Sequence, residues 1–150
     1  MDNTRRLDIA GARGKVEVEG VLGLFYKVRI DGEVVKRRRG RWDIPMRNRA
    51  TGALTANGVI PGFQTLRFNG EPILKMGAHV EPAAKVAMFA PLLLIVFPIA
   101  GAILAVLMFF TNVLLVKNPQ MPAGLRIGLP VLNTAVIALL LNQLIGLPFS

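Results

Sequence analysis

The chain has 150 residues, of which 53% are hydrophobic, and it contains no cysteine. This composition excludes a disordered chain, a disulfide-stapled secreted mini-protein and any site that needs a thiolate. The charges are segregated, because 16 of the 18 Lys/Arg and all 9 Asp/Glu lie in residues 1–85. Residues 86–150 carry only Lys117 and Arg126. We therefore predict a polar domain followed by a membrane-embedded region.

The polar half has the pattern of a small all-β domain. Residues 1–14 are rich in glycine and arginine, and we expect a flexible tail there. In residues 15–19 charged and apolar side chains alternate, as they do in a half-buried strand. We predict an antiparallel, sandwich-like β domain over residues 15–77, with six to eight short strands and no long helix. Pro72 should lie on an edge strand, where its missing N–H costs nothing.

Two tight hairpins anchor this prediction. Asp31-Gly32 and Asn69-Gly70 each separate two β-rich runs, and such pairs favour turns in which both central residues have positive φ. The surrounding residues align at an offset of 38 positions. This match indicates either a duplication or the shared chemistry of hairpin turns.

Two long uncharged runs dominate the second half. Residues 86–116 give 31 positions without a charge, and residues 127–149 give 23. Because about 20 apolar residues cross a bilayer as a helix, we predict a transmembrane helix over each run. Residues 117–126 form the loop between the helices, and residues 78–85 form the linker from the β domain.

The first run is too long for one straight crossing. As a single helix it would reach ~46 Å across a hydrocarbon core of ~30 Å, so it must tilt, protrude or break, with Pro91 and residues 98–101 as candidate break points. If each run crosses once, the 117–126 loop lies on the side opposite to the β domain. In the alternative, residues 86–116 fold back at 98–101 as a re-entrant hairpin, and the loop stays on the side of the β domain.

The basic residues also predict a location. Loops rich in Lys and Arg stay in the cytoplasm, and most of these residues precede the first apolar run. We expect a multi-pass protein of the cell membrane with a cytoplasmic N-terminal β domain.

Polar and small residues inside the apolar runs are candidates for helix–helix packing. An unpaired amide is costly in hydrocarbon, and small residues allow close helix approach. A substrate path is less favoured, because the runs contain no ionisable side chain. The candidate packing residues are Gly101, Ala105, Asn112, Asn133, Asn142 and Gln143.

A dense basic segment lies in the middle of the β domain, with seven Lys/Arg in residues 36–49. It could contact anionic lipid headgroups, dock a partner, or form a solvated face that keeps the domain cytoplasmic. We do not expect nucleic-acid binding, because the nearby aromatic residues form no recognisable stacking signature. The residues concerned are Lys36, Arg37, Arg38, Arg39, Arg41, Arg47 and Arg49.

Residues 25–76 resemble the β-sandwich repeat of the Fas apoptotic inhibitory molecule family. The shared features are a strand that enters Asp31-Gly32, the basic residues after it, Trp42, and Gly62-Phe63 leading into Leu66-x-Phe68-Asn69-Gly70. The resemblance implies a non-catalytic, all-β fold. That family lacks membrane helices, so its function and binding residues are not transferred to this chain.

No catalytic or metal-binding motif is recognisable. His79 is the single histidine, and one histidine without cysteine does not make a usual zinc site. We expect no enzyme activity and no cofactor. The leading hypothesis is an accessory or scaffold subunit of a membrane complex, whose β domain docks a partner and whose helices contact other membrane subunits or further copies of the chain. The alternatives are a homo-oligomeric channel or transporter component and a membrane-surface sensor of anionic lipid.

Overall fold

The computed structural model describes residues 3–145. The chain divides into two compact units, Met1–Ala78 and His79–Ser150. The first unit is all β, and the second contains two helices long and apolar enough to cross a membrane. The predicted fold class, a small antiparallel β domain followed by such a helix pair, is confirmed. The strands are β1 (Thr4–Leu7), β2 (Val16–Glu19), β3 (Lys27–Ile30), β4 (Glu33–Val35), β5 (Arg41–Pro45), β6 (Thr51–Asn57), β7 (Thr65–Phe68) and β8 (Glu71–Lys75).

The β domain consists of two four-stranded antiparallel sheets, ordered β1-β2-β3-β4 and β5-β6-β7-β8. Alternate residues of both sheets point into one hydrophobic core, as the period of two predicts. The sheets also meet through the backbone, where Ala12 pairs with Met46. The fully buried members of this core include Val18, Val28, Ile44, Leu54 and Leu66.

The two sheets repeat one structure at the offset of 38 residues. Residues 14–33 and 52–71 align without a gap and share seven identical residues. At the first turn the Asp31 side chain accepts a hydrogen bond from Lys15 N (2.7 Å), and at the second Asn69 accepts one from Ala53 N (2.9 Å). The pairing of β2 with β3 matches that of β6 with β7 throughout. The 38-residue repeat is therefore present in the structure, and it extends well beyond the two turns.

The hairpin turns have the predicted backbone conformation. Asp31 and Asn69 have φ of 50° and 48°, and Gly32 and Gly70 have φ of 87° and 92°. Strand β8, which contains Pro72, is an edge strand as predicted.

Residues 4–7 form a strand within the segment expected to be a tail. β1 pairs with β2 over its whole length, and Leu7 and Ala12 are buried in the core. The strand carries only one buried apolar side chain, so its sequence shows no alternation. It is ordered because it completes the ladder of β2.

The first uncharged run forms three elements rather than one helix. They are α1 (Pro82–Ala87), a 3₁₀ helix (Ala90–Val96) and α2 (Ile99–Lys117). The chain reverses at Pro98, one of the two candidate break points, because proline cannot donate the backbone bond that would continue a helix. The second run forms α3 (Ala123–Ile145), and residues 146–149 of the predicted helix lie outside the described residues.

The segment from His79 to Val96 runs antiparallel to α2. Near the reversal, the Leu94 carbonyl contacts the position that a Cβ on Gly101 would take. Further away, the rings of Phe89 and Phe109 have centroids 5.2 Å apart. Leu141, near the end of α3, packs in one cluster with Leu94. The end of α3 therefore lies beside the reversal.

Candidate functional site

The basic segment 36–49 does not form one patch in the structure. It connects β4 of one sheet to β5 of the other and continues into the β5–β6 turn. All seven basic side chains are exposed, but neighbouring ones line different recesses. Lys36 and Arg38 line one recess, Arg37 lines a second and Arg47 a third.

A tight turn orders the centre of this segment. Arg38 and Arg41 exchange two backbone hydrogen bonds of 2.8 and 3.0 Å. Arg39 and Gly40 between them have φ of 48° and 81°, as a two-residue hairpin turn requires. Arg41 also forms a 3.1 Å ion pair with Asp43, so its charge is partly compensated.

Arg37 belongs to an aromatic groove of about 420 Å³, lined by Phe25, Tyr26, Trp42, Pro61 and Gln64 among others. The Arg37 guanidinium lies 4.9 Å from the centre of the Trp42 ring, which is a cation–π distance. Tyr26 packs against the same ring, with centroids 5.8 Å apart. Burial raises the pKa of the Tyr26 phenol above its usual range, and the charge of Arg37 lowers it in part.

Two features of the groove are typical of a binding surface. Phe25 is 82% exposed, although a phenylalanine normally buries most of its ring. The side-chain oxygen of Gln64 is buried and accepts no hydrogen bond within the described part of the chain. A buried acceptor without a donor is unfavourable, and Gln64 lines the same groove as Phe25.

A second recess, the β4–β5 cleft, opens between the edge strands of the two sheets and has a volume of about 830 Å³. Its basic side chains are Arg13, Lys36 and Arg38, none of which has an ion-pair partner within residues 3–145. Of its three acidic residues, Asp43 pairs with Arg41, which leaves the carboxylates of Asp31 and Glu33 against these three cations. The uncompensated charge of the cleft is therefore positive.

The candidate packing residues of the helices fall into two groups. Gly101, Ala105 and Asn112 are buried inside the helical unit. Asn112 is only 2% exposed, and its amide nitrogen donates no hydrogen bond within residues 3–145. Asn133 and Gln143 are exposed on α3, and Asn142 is half-buried. Asn133 and Gln143 therefore do not pack inside this helix pair.

One end of the helical unit collects its basic groups. The His79 Nε2–H donates to the carbonyl oxygen of Lys117, 3.0 Å away. Arg126, in the first turns of α3, is buried and donates to the carbonyl oxygen of Pro119 (3.1 Å). His79, Lys117 and Arg126 therefore lie at the same end, opposite the reversal at Pro98.

The described residues contain no group of three or more metal-ligating side chains. The aromatic groove is the feature that the sequence analysis missed. The sequence holds its aromatic members, because Tyr26 directly precedes β3 of one sheet and Trp42 lies in β5 of the other.

Comparisons of the chain with protein-family models, curated proteins and solved structures each found no match. The resemblance of residues 25–76 to the Fas apoptotic inhibitory molecule family thus gains no support from them.

Proposed function

We propose that this protein is a non-enzymatic accessory subunit of a membrane complex, anchored by its helical unit and docking a partner through its β domain. The proposed membrane anchoring is supported by the exposed apolar surface of the helical unit. Val96 and Ile99 are 83% and 80% exposed, and many other large apolar side chains on these helices are exposed as well. Such a continuous apolar surface is unfavourable in water and is satisfied by lipid.

The ends of the helices support a specific orientation. His79 is the first residue of the helical unit, and its hydrogen bond to Lys117 brings the 117–126 loop to the end where the chain enters. With this loop on the side of the β domain, all 18 Lys/Arg of the chain lie on one side of the membrane. That arrangement satisfies the positive-inside rule better than two single crossings, which put Lys117 and Arg126 outside. We propose that this side is the cytoplasm.

The aromatic groove supports docking by the β domain. It combines an exposed Phe25 with the cation of Arg37, whereas catalysis would need a positioned base or nucleophile. Exposed aromatic side chains and arginine are enriched where proteins bind proteins. We propose the groove as the main contact with the partner.

A second candidate function is the recognition of anionic lipid. The exposed ring of Phe25 beside the basic side chains Lys27 and Arg37 favours it, because such a set can enter a headgroup layer. In a lipid bilayer nanodisc that contains brominated anionic lipid, this function predicts quenching of the single Trp42. Partner docking predicts the same fluorescence as with unbrominated lipid.

The experiment for docking is the mass of the full chain purified from its native membrane in a mild detergent. We expect unrelated polypeptides in fixed stoichiometry, lost when Arg37→Gln and Phe25→Ser are combined. The variant Lys75→Gln removes one exposed charge from β8 and should keep the complex. A pure ring of this chain would contradict the proposal and favour the channel alternative. A complex that the groove variant leaves intact would contradict docking through the groove.

A further inference from the structure

The two halves of the β domain differ at one edge position. The offset of 38 aligns Val34 in β4 with Pro72 in β8. Both strands are the outer strands of their sheets, and both residues pair with the equivalent arginine, Arg29 or Arg67. The same edge is therefore built from a valine in one half and a proline in the other.

The backbone of Val34 points away from its sheet. The Asp31-Gly32 turn makes Ile30 and Glu33 the closing hydrogen-bonded pair, so the next pair, Arg29 and Val34, is not hydrogen-bonded. The bond from Asp31 N to Lys15 O is consistent, because it directs the odd-numbered residues of β3 toward β2. The N–H and C=O of Val34 thus face the open edge.

Strand β8 is protected at the same position. Pro72 has no N–H, and the register of β8 shifts by one residue immediately after it. Prolines and bulges are the means by which exposed edges avoid pairing with another strand. β4 has neither feature, and Val34 is 50% exposed.

On the other side of the β4–β5 cleft, most outward backbone groups of β5 already have hydrogen-bond partners. On β5, Arg41 bonds to Arg38 and the carbonyl oxygen of Pro45 accepts from Arg13 N (2.8 Å). Only Asp43 keeps an outward backbone N–H and C=O on this strand. An incoming strand therefore finds its hydrogen bonds on β4 and its charged neighbours around the cleft.

We propose that β4 binds an extended, acidic segment of the partner protein by strand addition at Val34. This inference rests on the proposed docking function and names the kind of partner segment. The three unpaired cations Arg13, Lys36 and Arg38 outnumber the two unpaired carboxylates of Asp31 and Glu33, and this excess of positive charge favours acidic side chains in that segment. A second copy is disfavoured, because pairing two β4 edges would bring two basic segments together.

The test uses the full chain in detergent and a capped seven-residue peptide of alternating glutamate and valine, followed by fluorescence anisotropy. Val34→Pro removes the outward N–H and reproduces the residue of the equivalent position in β8. Val34→Thr keeps the N–H and is the matched control. We expect the wild type and Val34→Thr to bind alike, and Val34→Pro to bind at least about tenfold more weakly.

Two peptide controls keep the test decisive if Val34→Pro does not fold. A peptide methylated on every backbone nitrogen cannot donate to a strand edge, and a lysine–valine peptide reverses the charge. Both should bind the wild type at least about tenfold more weakly than the glutamate peptide. Absence of glutamate-peptide binding to the wild type, equal binding by folded Val34→Pro, or equal binding of either control peptide would overturn the proposal.

Light scattering separates the remaining possibilities. A dimer of the wild type that Val34→Pro dissociates would assign the edge to a second copy and overturn the proposal of a partner segment.

The native complex separates this inference from the docking function. If Val34→Pro no longer binds the peptide but retains the native complex, docking by the groove stands and strand addition by the partner fails. If no native complex exists while the peptide still distinguishes the variants, the proposed function fails and the edge site stands.

Discussion

The Nε2 of His79 and the carbonyl oxygen of Lys117 are 3.0 Å apart, although 38 residues separate them in the chain. A carbonyl only accepts, so the imidazole must carry its proton on Nε2. The bond satisfies one of the carbonyls left open at the end of α2 and fixes where the chain enters the helical unit. The antiparallel contacts Leu94–Gly101 and Phe89–Phe109 continue from it toward the reversal.

Removal of this bond should loosen the helical unit. We expect His79→Ala to lower the free energy of unfolding of the unit by about 1 kcal/mol, the usual contribution of such a bond. His79→Gln, whose amide can donate to the same carbonyl, should recover part of the loss. Far-ultraviolet circular dichroism during denaturation in detergent measures both, and equal stability of all three proteins would contradict the assignment.

The hairpin turns of the β domain should tolerate only residues that adopt positive φ. At Gly32 and Gly70 the position that a Cβ would take lies in open space, so backbone strain alone opposes a side chain there. We expect Gly32→Val and Gly70→Val each to cost on the order of 1–3 kcal/mol. Gly32→Asn and Gly70→Asn should cost much less, because asparagine enters this region readily. Trp42 fluorescence reports unfolding, and equal losses for valine and asparagine would refute the strain argument.

Tyr26 should titrate at a pH above its usual value of about 10. Burial disfavours the phenolate, so the folded domain holds the proton to a higher pH than the unfolded chain does. This contribution to stability is complete below about pH 10 and is lost as the pH rises through the folded pKa. Because the chain has a single tyrosine, phenolate absorbance follows this group directly.

Arg37 supplies the internal control for that titration. Its charge lowers the pKa of Tyr26, so Arg37→Gln should move the midpoint upward. A downward shift, or a wild-type midpoint below the usual value, would show that Tyr26 is not buried beside Arg37.

The exposed amides of α3 should act between chains. Asn133 and Gln143 face outward from this helix pair, where an amide in hydrocarbon needs a partner. We expect Asn133→Leu combined with Gln143→Leu to reduce the association measured by the mass of the detergent complex. Asn112→Leu changes a buried residue of the same type and should leave that mass unchanged. The opposite result would place the association on another face.

Much of the β domain follows from local patterns, because alternation and the Asp31-Gly32 and Asn69-Gly70 turns act over a few residues. β1 does not, since its order comes from the β2 ladder and its sequence offers only Leu7 to the core. The division of the basic segment also depends on tertiary structure, because the Arg38–Arg41 turn sends neighbouring side chains to different recesses.

The sequence alone could have indicated that the edge of β4 is less protected than that of β8. The offset that aligns the two turns, extended by one position beyond Glu33 and Glu71, sets Val34 against Pro72. What it could not supply was the hydrogen-bonding direction of Val34, which depends on the register of three strands. The break at Pro98 was also a candidate from the sequence, because a proline interrupts a run too long for one crossing. The choice between a tilted helix and a fold-back depends on packing against α2, which the sequence does not show.

Labelling of single cysteines with an impermeant thiol reagent in intact cells shows on which side of the membrane each part of the chain lies. The chain has no cysteine, so Gly40→Cys, Gln120→Cys and Ser150→Cys each carry one thiol, the last outside the described residues. We predict labelling at position 150 and protection at positions 40 and 120 until the membrane is opened. Labelling at position 120 with protection at position 150 would contradict the fold-back arrangement, and labelling at position 40 would contradict a cytoplasmic β domain.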